Sequence, residues 1–280
     1  MRDPRLSPTT SASQLVAFSM CPRKYFLSYI LQLDPEFRST ALILGTVVHA
    51  GVDWWFEERI AGRTPTFEAL DKIVESDVMA QTLDDKSIRW KESSPDALEA
   101  DAKRFLRVYL TECGDLPVKA VETAFTVPLV DPDTGVVVGR DLRGFFDLVL
   151  EDETVIEVKT SGKGWRADDL ARHLQIGAYC YVANTLHAAP SPVNVHVIVK
   201  LKGTPRVEKY TLERGDAETR WWLHAAAAIE GAIASGHFPP APSQLCNECE
   251  FQSACLKMTS APAVVVDLPE RTRRHLGIVA

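Results

Sequence analysis

The chain has 280 residues, enough for one large domain or a core with a substantial insertion, and its 46% hydrophobic and 25% charged residues suit a packed globular core. No apolar run reaches the roughly 18 residues that cross a bilayer, and the polar segment Met1–Thr10 lacks the apolar stretch of a secretory signal, so no membrane association and a cytoplasmic location are expected. The formal net charge of −7 does not advertise a nucleic-acid binder, and such a partner would need a local basic channel.

In chain order, residues 11–33 read as helical, with Pro22 suited to the first turn of a helix beginning after Cys21. Leu44–Arg59 is a second helical stretch and carries His49. Phe67–Leu110 is helical and polar, broken near Asp84–Asp85 and Ser93–Pro95, and reads as a helical insertion spanning about residues 60–115. The character changes at Pro117. Val118–Val130, Val136–Leu142, Arg143–Leu150 and Thr154–Lys159 are strand-like runs separated by turn clusters at Asp131–Gly135 and Glu151–Glu153. A helix over Asp168–His187 follows, with Asp168 or Asp169 as N-cap, ended by Pro190 and Pro192. Val193–Leu201 and Arg206–Leu212 read as strands and Asp216–Ser235 as a helix. The pairs Trp54–Trp55 and Trp221–Trp222 read as helix-packing residues, and a proline-rich connector, His237–Ser243, leads to a cysteine-bearing segment. This order implies an α/β core sheet flanked by helices.

The most chemistry lies between Gly144 and Lys159. A hairpin centred on Asp152 sets Asp147 opposite Glu157, with Cβ atoms about 4.5–5.5 Å apart, where two carboxylates repel unless a cation sits between them. Glu157 and Lys159 share a strand face with Val155, while Ile156 and Val158 face the core. A hard divalent cation takes such oxygens together with water and phosphate. An ordinary solvated hairpin with a Glu–Lys pair fits this segment equally well. Gln175 and Tyr179 are one helical turn apart, with Arg172 near their face; they suit a nucleic-acid backbone or base, or a plain amphipathic surface. Arg23 and Lys24, then Lys159, Lys163, Arg166 and Arg172, form basic groups, and Trp165 among the last could stack on a base.

Gly144-x-x-Asp147, Glu157-x-Lys159 and Gln175-x3-Tyr179, in that order, resemble the PD-(D/E)XK nuclease superfamily, and most closely its RecB-like branch. Leu44-Gly-Thr-Val-Val-His49 is similar to the branch's histidine motif. Ser13-Gln-Leu15 and Cys21-Pro-Arg-Lys-Tyr-Phe26 are similar to its N-terminal motif. The resemblance implies a restriction-endonuclease-like core in a single domain over 1–256, with a core over about 117–215, followed by a tail over 257–280. It implies magnesium or manganese held by His49, Asp147, Glu157 and the Val158 carbonyl. Lys159 would be catalytic, and Gln175 and Tyr179 would assist substrate binding; Arg172 and Lys163 join them as substrate-binding candidates on their charge and position, apart from the resemblance.

Cys246-x2-Cys249-x5-Cys255 is a thiolate group that needs a fourth ligand, and four thiolates suit an iron–sulfur cluster or structural zinc equally. The same branch, together with CRISPR-associated and AddB-type nuclease domains, has one early and three late cysteines around a [4Fe–4S] cluster. That resemblance assigns Cys21 as the fourth ligand in a clasp formed with the segment 243–256. Cys113 and Cys180 fall outside it and read as structural. The resulting expectation is a metal-dependent nuclease acting on single-stranded DNA or DNA ends, in repair, recombination or CRISPR adaptation, alongside partner proteins. The rivals are a DNA-end-binding or scaffold module without turnover, and a thiolate-cluster redox protein.

Overall fold

The computed structural model describes residues 7–83, 87–187 and 191–259. Strand β1 (Thr9–Thr10) leads into α1 (Ala12–Met20), capped by the Ser11 hydroxyl, which accepts the Gln14 N–H. Helix α1 stops at Cys21, extended as a residue before proline prefers, and Pro22 opens α2 (Pro22–Tyr25). The helix expected over 11–33 is therefore broken, and a π-helical turn, Phe26–Ile30, follows.

Short β2 (Arg38–Ser39) precedes α3 (Thr40–Ile60), which starts earlier than its apolar pattern suggested because Ser39 caps it. Helices α4 (Phe67–Thr82) and α5 (Pro95–Cys113), capped by Thr66 and Ser94, flank β3 (Ile88–Arg89), which pairs in parallel with β2. The break anticipated at Ser93–Pro95 is present, whereas Asp84–Asp85 lies outside the described residues.

Besides α3, four longer strands and two helices frame the site: β4 (Val118–Val127), β5 (Asp141–Leu150), β6 (Val155–Ser161), α6 (Ala167–Ala171), α7 (Leu174–His187) and β7 (Val193–Val199). The chain then runs through β8 (Arg206–Leu212), α8 (Asp216–Ala234), a 3-10 turn Gln244–Glu248 and α9 (Gln252–Thr259). Val136–Leu142 is not a strand of its own. After the Asp131–Gly135 turn, Val137 makes one bridge to Val130, and Asp141 and Leu142 already belong to β5.

The sheet is mixed. β5 is antiparallel to β4 along its length, β6 and β7 are parallel, and β8 is antiparallel to β7. The other side of β5 is shared: β1 pairs in parallel at Asp141 and Leu142, and β6 pairs antiparallel at Leu148 and Val149. One apolar core, with α1, α7 and α8, covers one sheet face, and a second, with α3, α4 and α5, covers the other. This is a restriction-endonuclease-like arrangement, a mixed central sheet flanked by helices.

Helices on both sides explain a departure in β6. Val155 faces the first core and Ile156 and Val158 the second, all buried, so both faces are covered rather than one. The helix expected over 168–187 is two helices, and neither Asp168 nor Asp169 is its cap; Arg166 precedes α6. Pro190 lies outside the described residues. Of the two tryptophan pairs, Trp55 and Trp222 pack inward, but Trp221 is exposed.

Candidate active site

The hairpin register is the one a turn centred on Asp152 dictates: Leu148 pairs Ile156 and Val149 pairs Val155. The ladder ends there, one step before Asp147 and Glu157, and the strands part. The Asp147 carboxylate takes over where the ladder stops, its Oδ2 accepting the Val158 N–H at 2.7 Å. Across β4 the matching place belongs to Glu122, between the Val121–Leu148 and Thr123–Phe146 pairs, with φ +46°. Both strands lose their in–out alternation here. Phe146 faces one core and Leu148 the other, so Asp147 sits at the change of phase.

His49 reaches the same point from α3, its Nδ1 3.7 Å from Asp147 Oδ2. Burial lowers its pKa; Lys159 pushes the same way, against Asp147. The imidazole is thus held in the neutral form that a metal ligand needs. Glu157 is 1% exposed. Its Oε1 pairs with the Lys159 ammonium and accepts from Gln175 Nε2 at 3.2 Å. Its Oε2 is buried without a partner. Burial, then the Asp147 charge, raise the Glu157 carboxyl well above the usual carboxylate range. Gln175 also donates to the Tyr179 hydroxyl at 3.2 Å, and burial followed by Glu157 and Asp147 holds that phenol up.

The structure therefore brings together His49, Asp147, Glu157, Val158, Lys159, Gln175 and Tyr179. Lys163 and Arg172 lie on exposed segments flanking α6, without ion-pair partners among the described residues. Arg23 and Lys24 are not part of this group. They line the cysteine cavity, where Lys24 pairs with Glu250 and Arg23 donates to the Phe238 carbonyl. Two acids escaped the sequence reading. Glu122 is raised by burial and Asp147, and Asp53, one turn beyond His49, is pushed up to about 7 by burial, Glu122 and Asp147. Only the His49+4 spacing could have flagged Asp53.

Two neighbouring carboxylates, a neutral imidazole, a nearby backbone carbonyl and an orphaned buried carboxylate oxygen are donors that fit a hard divalent cation. Among the described residues, no three His, Cys, Asp or Glu side chains converge closely enough to hold a metal by themselves. Water and substrate phosphate would complete such a shell.

Cys21, Cys246, Cys249 and Cys255 line one cavity of about 360 Å³ with Leu27, Pro240 and Leu256. Burial and then neighbouring groups, Cys21 among them, raise the Cys249 and Cys255 thiols. Cys113 and Cys180 are buried elsewhere.

A family model for the PD-(D/E)XK nuclease superfamily matches residues 9–256, nearly the whole described chain. The chain belongs to that superfamily. Membership supports a nuclease role, and members commonly use magnesium or manganese. No curated protein matches the chain. Among solved structures it is similar to a candidate exonuclease from Eubacterium rectale at 14% identity and a TM-score of 0.52, covering 97% of this chain and 94% of that one, which speaks for the fold alone. The protein SSO0001 is more distant, with a TM-score of 0.36 at 14% identity over 87% of this chain and 94% of that one. No described helix is long and apolar enough to cross a membrane.

Proposed function

We propose that this superfamily member is a metal-dependent deoxyribonuclease of the RecB-like branch, an exonuclease acting on single-stranded DNA or DNA ends. The observation that carries the reading is the acidic pocket itself: Asp147 and Glu157 crowded together, one Glu157 oxygen orphaned, and Lys159 paired to the other. His49, Asp147, Glu157 and the Val158 carbonyl would hold magnesium or manganese. The ion would supply Lewis-acid polarisation of the scissile phosphodiester and acidify water.

The chain's own residues do the rest. The Val158 N–H fixes Asp147 Oδ2, and Gln175 fixes Glu157 Oε1 from the opposite helix. Lys159 offsets charge developing on the phosphate and orients the attacking water. Tyr179 anchors Gln175, and Lys163 and Arg172 attract the flanking phosphates.

Cys21, Cys246, Cys249 and Cys255 would hold a [4Fe–4S] cluster, with zinc as the rival occupant. Both are supported by four thiols around one cavity. The cluster would be a structural clasp within one domain over 1–256. The reading extends to a cytoplasmic protein of repair, recombination or CRISPR adaptation, working within a DNA-processing complex.

The test uses anaerobically purified protein with manganese and DNA labelled separately at each end, single- and double-stranded. Wild type yields metal-dependent products, whereas Lys159→Ala yields none while keeping its thermal midpoint and its iron or zinc content. Unchanged cleavage by Lys159→Ala would remove Lys159 from the mechanism. No products from wild type on any substrate would transfer the reading to an end-binding module.

A further inference from the structure

Between its contacts with β1, which end at Leu142, and with β6, which begin at Leu148, residues 143–146 of β5 carry ladder pairs only on the β4 side. The β5 notch thus runs straight up to Asp147. Along it the alternation is plain. Leu142 and Phe146 belong to the first core, and a side chain on Gly144 would collide with Phe125 of that core at 2.6 Å. Arg143 and Phe145 must therefore project from the other face. The second core does not extend over these two side chains, and among the described residues this part of the face is bare. Phe145 is 53% exposed, in no ring contact among the described residues, and Arg143 is exposed with no ion pair among them. Their cross-strand neighbours on β4 are small: Ala124 opposite Phe145 and Thr126 opposite Arg143, both exposed. An exposed leucine or methionine at a helix end is ordinary. An uncovered aromatic ring on the open side of a strand, two residues from a candidate metal ligand and beside a guanidinium with no ion pair among the described residues, is a built feature.

We propose that Phe145 is the platform on which a base of the substrate strand stacks next to the scissile phosphate, with Arg143 holding the neighbouring phosphate. Two residues along a strand span about 6.5 Å, so the ring lies within about one nucleotide of Asp147. Aromatic faces accept any base, and a cation beside them follows the backbone, the combination that binds single strands without sequence preference. A duplex keeps its bases stacked on one another and offers none to the ring. The inference thus deepens the nuclease reading, on which it rests, by favouring unpaired DNA.

The experiment compares a single-stranded oligonucleotide with the same strand made abasic at the terminal positions. Both KM for metal-dependent cleavage and anisotropy of labelled strand without metal are read. Wild type binds the intact strand about 10-fold more tightly than the abasic one. Phe145→Ala removes that ratio, Phe145→Trp restores it, and Arg143→Ala weakens both strands alike and flattens the salt dependence. If wild type cleaves DNA but the intact-to-abasic ratio is the same in Phe145→Ala, the platform is overturned and the nuclease reading stands. If wild type cleaves nothing, the nuclease reading falls and takes the platform with it.

Discussion

His196 lies on β7 in register with Val158, with Nδ1 3.1 Å from the Tyr109 hydroxyl and 4.0 Å from Cys113 Sγ. Burial, then the Lys209 charge, lowers its pKa from 6.5 to about 4. The folded protein thus refuses a proton that the unfolded chain accepts. The His196 contribution is fully present above pH 6.5 and is lost as pH drops from there towards 4, by about 3 kcal/mol in total. His196→Gln is expected to flatten that slope in urea midpoints measured across pH 4–7; an unchanged slope would place the acid sensitivity elsewhere. Single residues of the candidate site divided sharply in legibility. Asp147, Glu157 and Lys159 were readable because the centre of a turn fixes which positions meet. Glu122 was not, since nothing in Val-Glu-Thr announces a left-handed residue inside a strand.

Among the elements, the break between α6 and α7 decides where Gln175 points. The sequence from Asp168 to His187 keeps a helical period, so it reads as one helix. Arg214 from after β8 supplies what the period cannot show. Its buried Nη2 donates to the carbonyls of Leu170, Ala171 and His173 at 3.2, 3.0 and 3.4 Å, satisfying the end of α6. His173 Nδ1 meets the Ile176 N–H at 3.5 Å and begins α7 afresh. Gly177 then lets α8 approach, since a side chain there would meet Trp222 at 2.3 Å. Arg214→Met leaves three carbonyls without their cation and is expected to cost about 2–3 kcal/mol by urea unfolding. It also loosens Gln175 from Glu157, so cleavage should fall even at temperatures where the variant is folded. Full activity in a destabilised variant would show that the break does not position the site. The strand faces were legible only in part for a related reason. Burial on both faces leaves Val155 to Val158 of β6 buried without alternation, and a period of two cannot say which side holds chemistry.

Across the whole molecule, described residues 7–25 and helix α8 meet around one buried ion pair. Arg140, at the entrance to β5, donates to Glu230 of α8 through Nε at 2.8 Å and Nη2 at 2.9 Å, both residues being 5% exposed. The same guanidinium reaches the carbonyls of Ser7 and Thr9 and the Tyr25 hydroxyl. It thereby binds β1, α2, β5 and α8 together. Beside it, Phe238 stacks on Tyr25 and Phe26, with Phe18 edge-on, and Glu36 accepts from the Ser253 amide and hydroxyl. None of this was legible, because partners 90 residues apart carry no periodic signal; only the cysteines, through a family resemblance, implied that the early and late segments meet. The closure thus has supports that do not depend on what fills the cysteine cavity. Arg140→Met strands the Glu230 carboxylate in the interior and is expected to cost about 3–5 kcal/mol, as is Glu230→Leu, which strands the guanidinium. The double variant should cost less than the sum, because neither charge remains buried alone. Hydrogen exchange locates the effect: amides of β1 and α1 should lose protection in Arg140→Met, while those of β6 and β7 hold. Strict additivity in the cycle, or uniform loss of protection, would mean that the pair does not join these segments. In that case the aromatic cluster around Phe238 must do so.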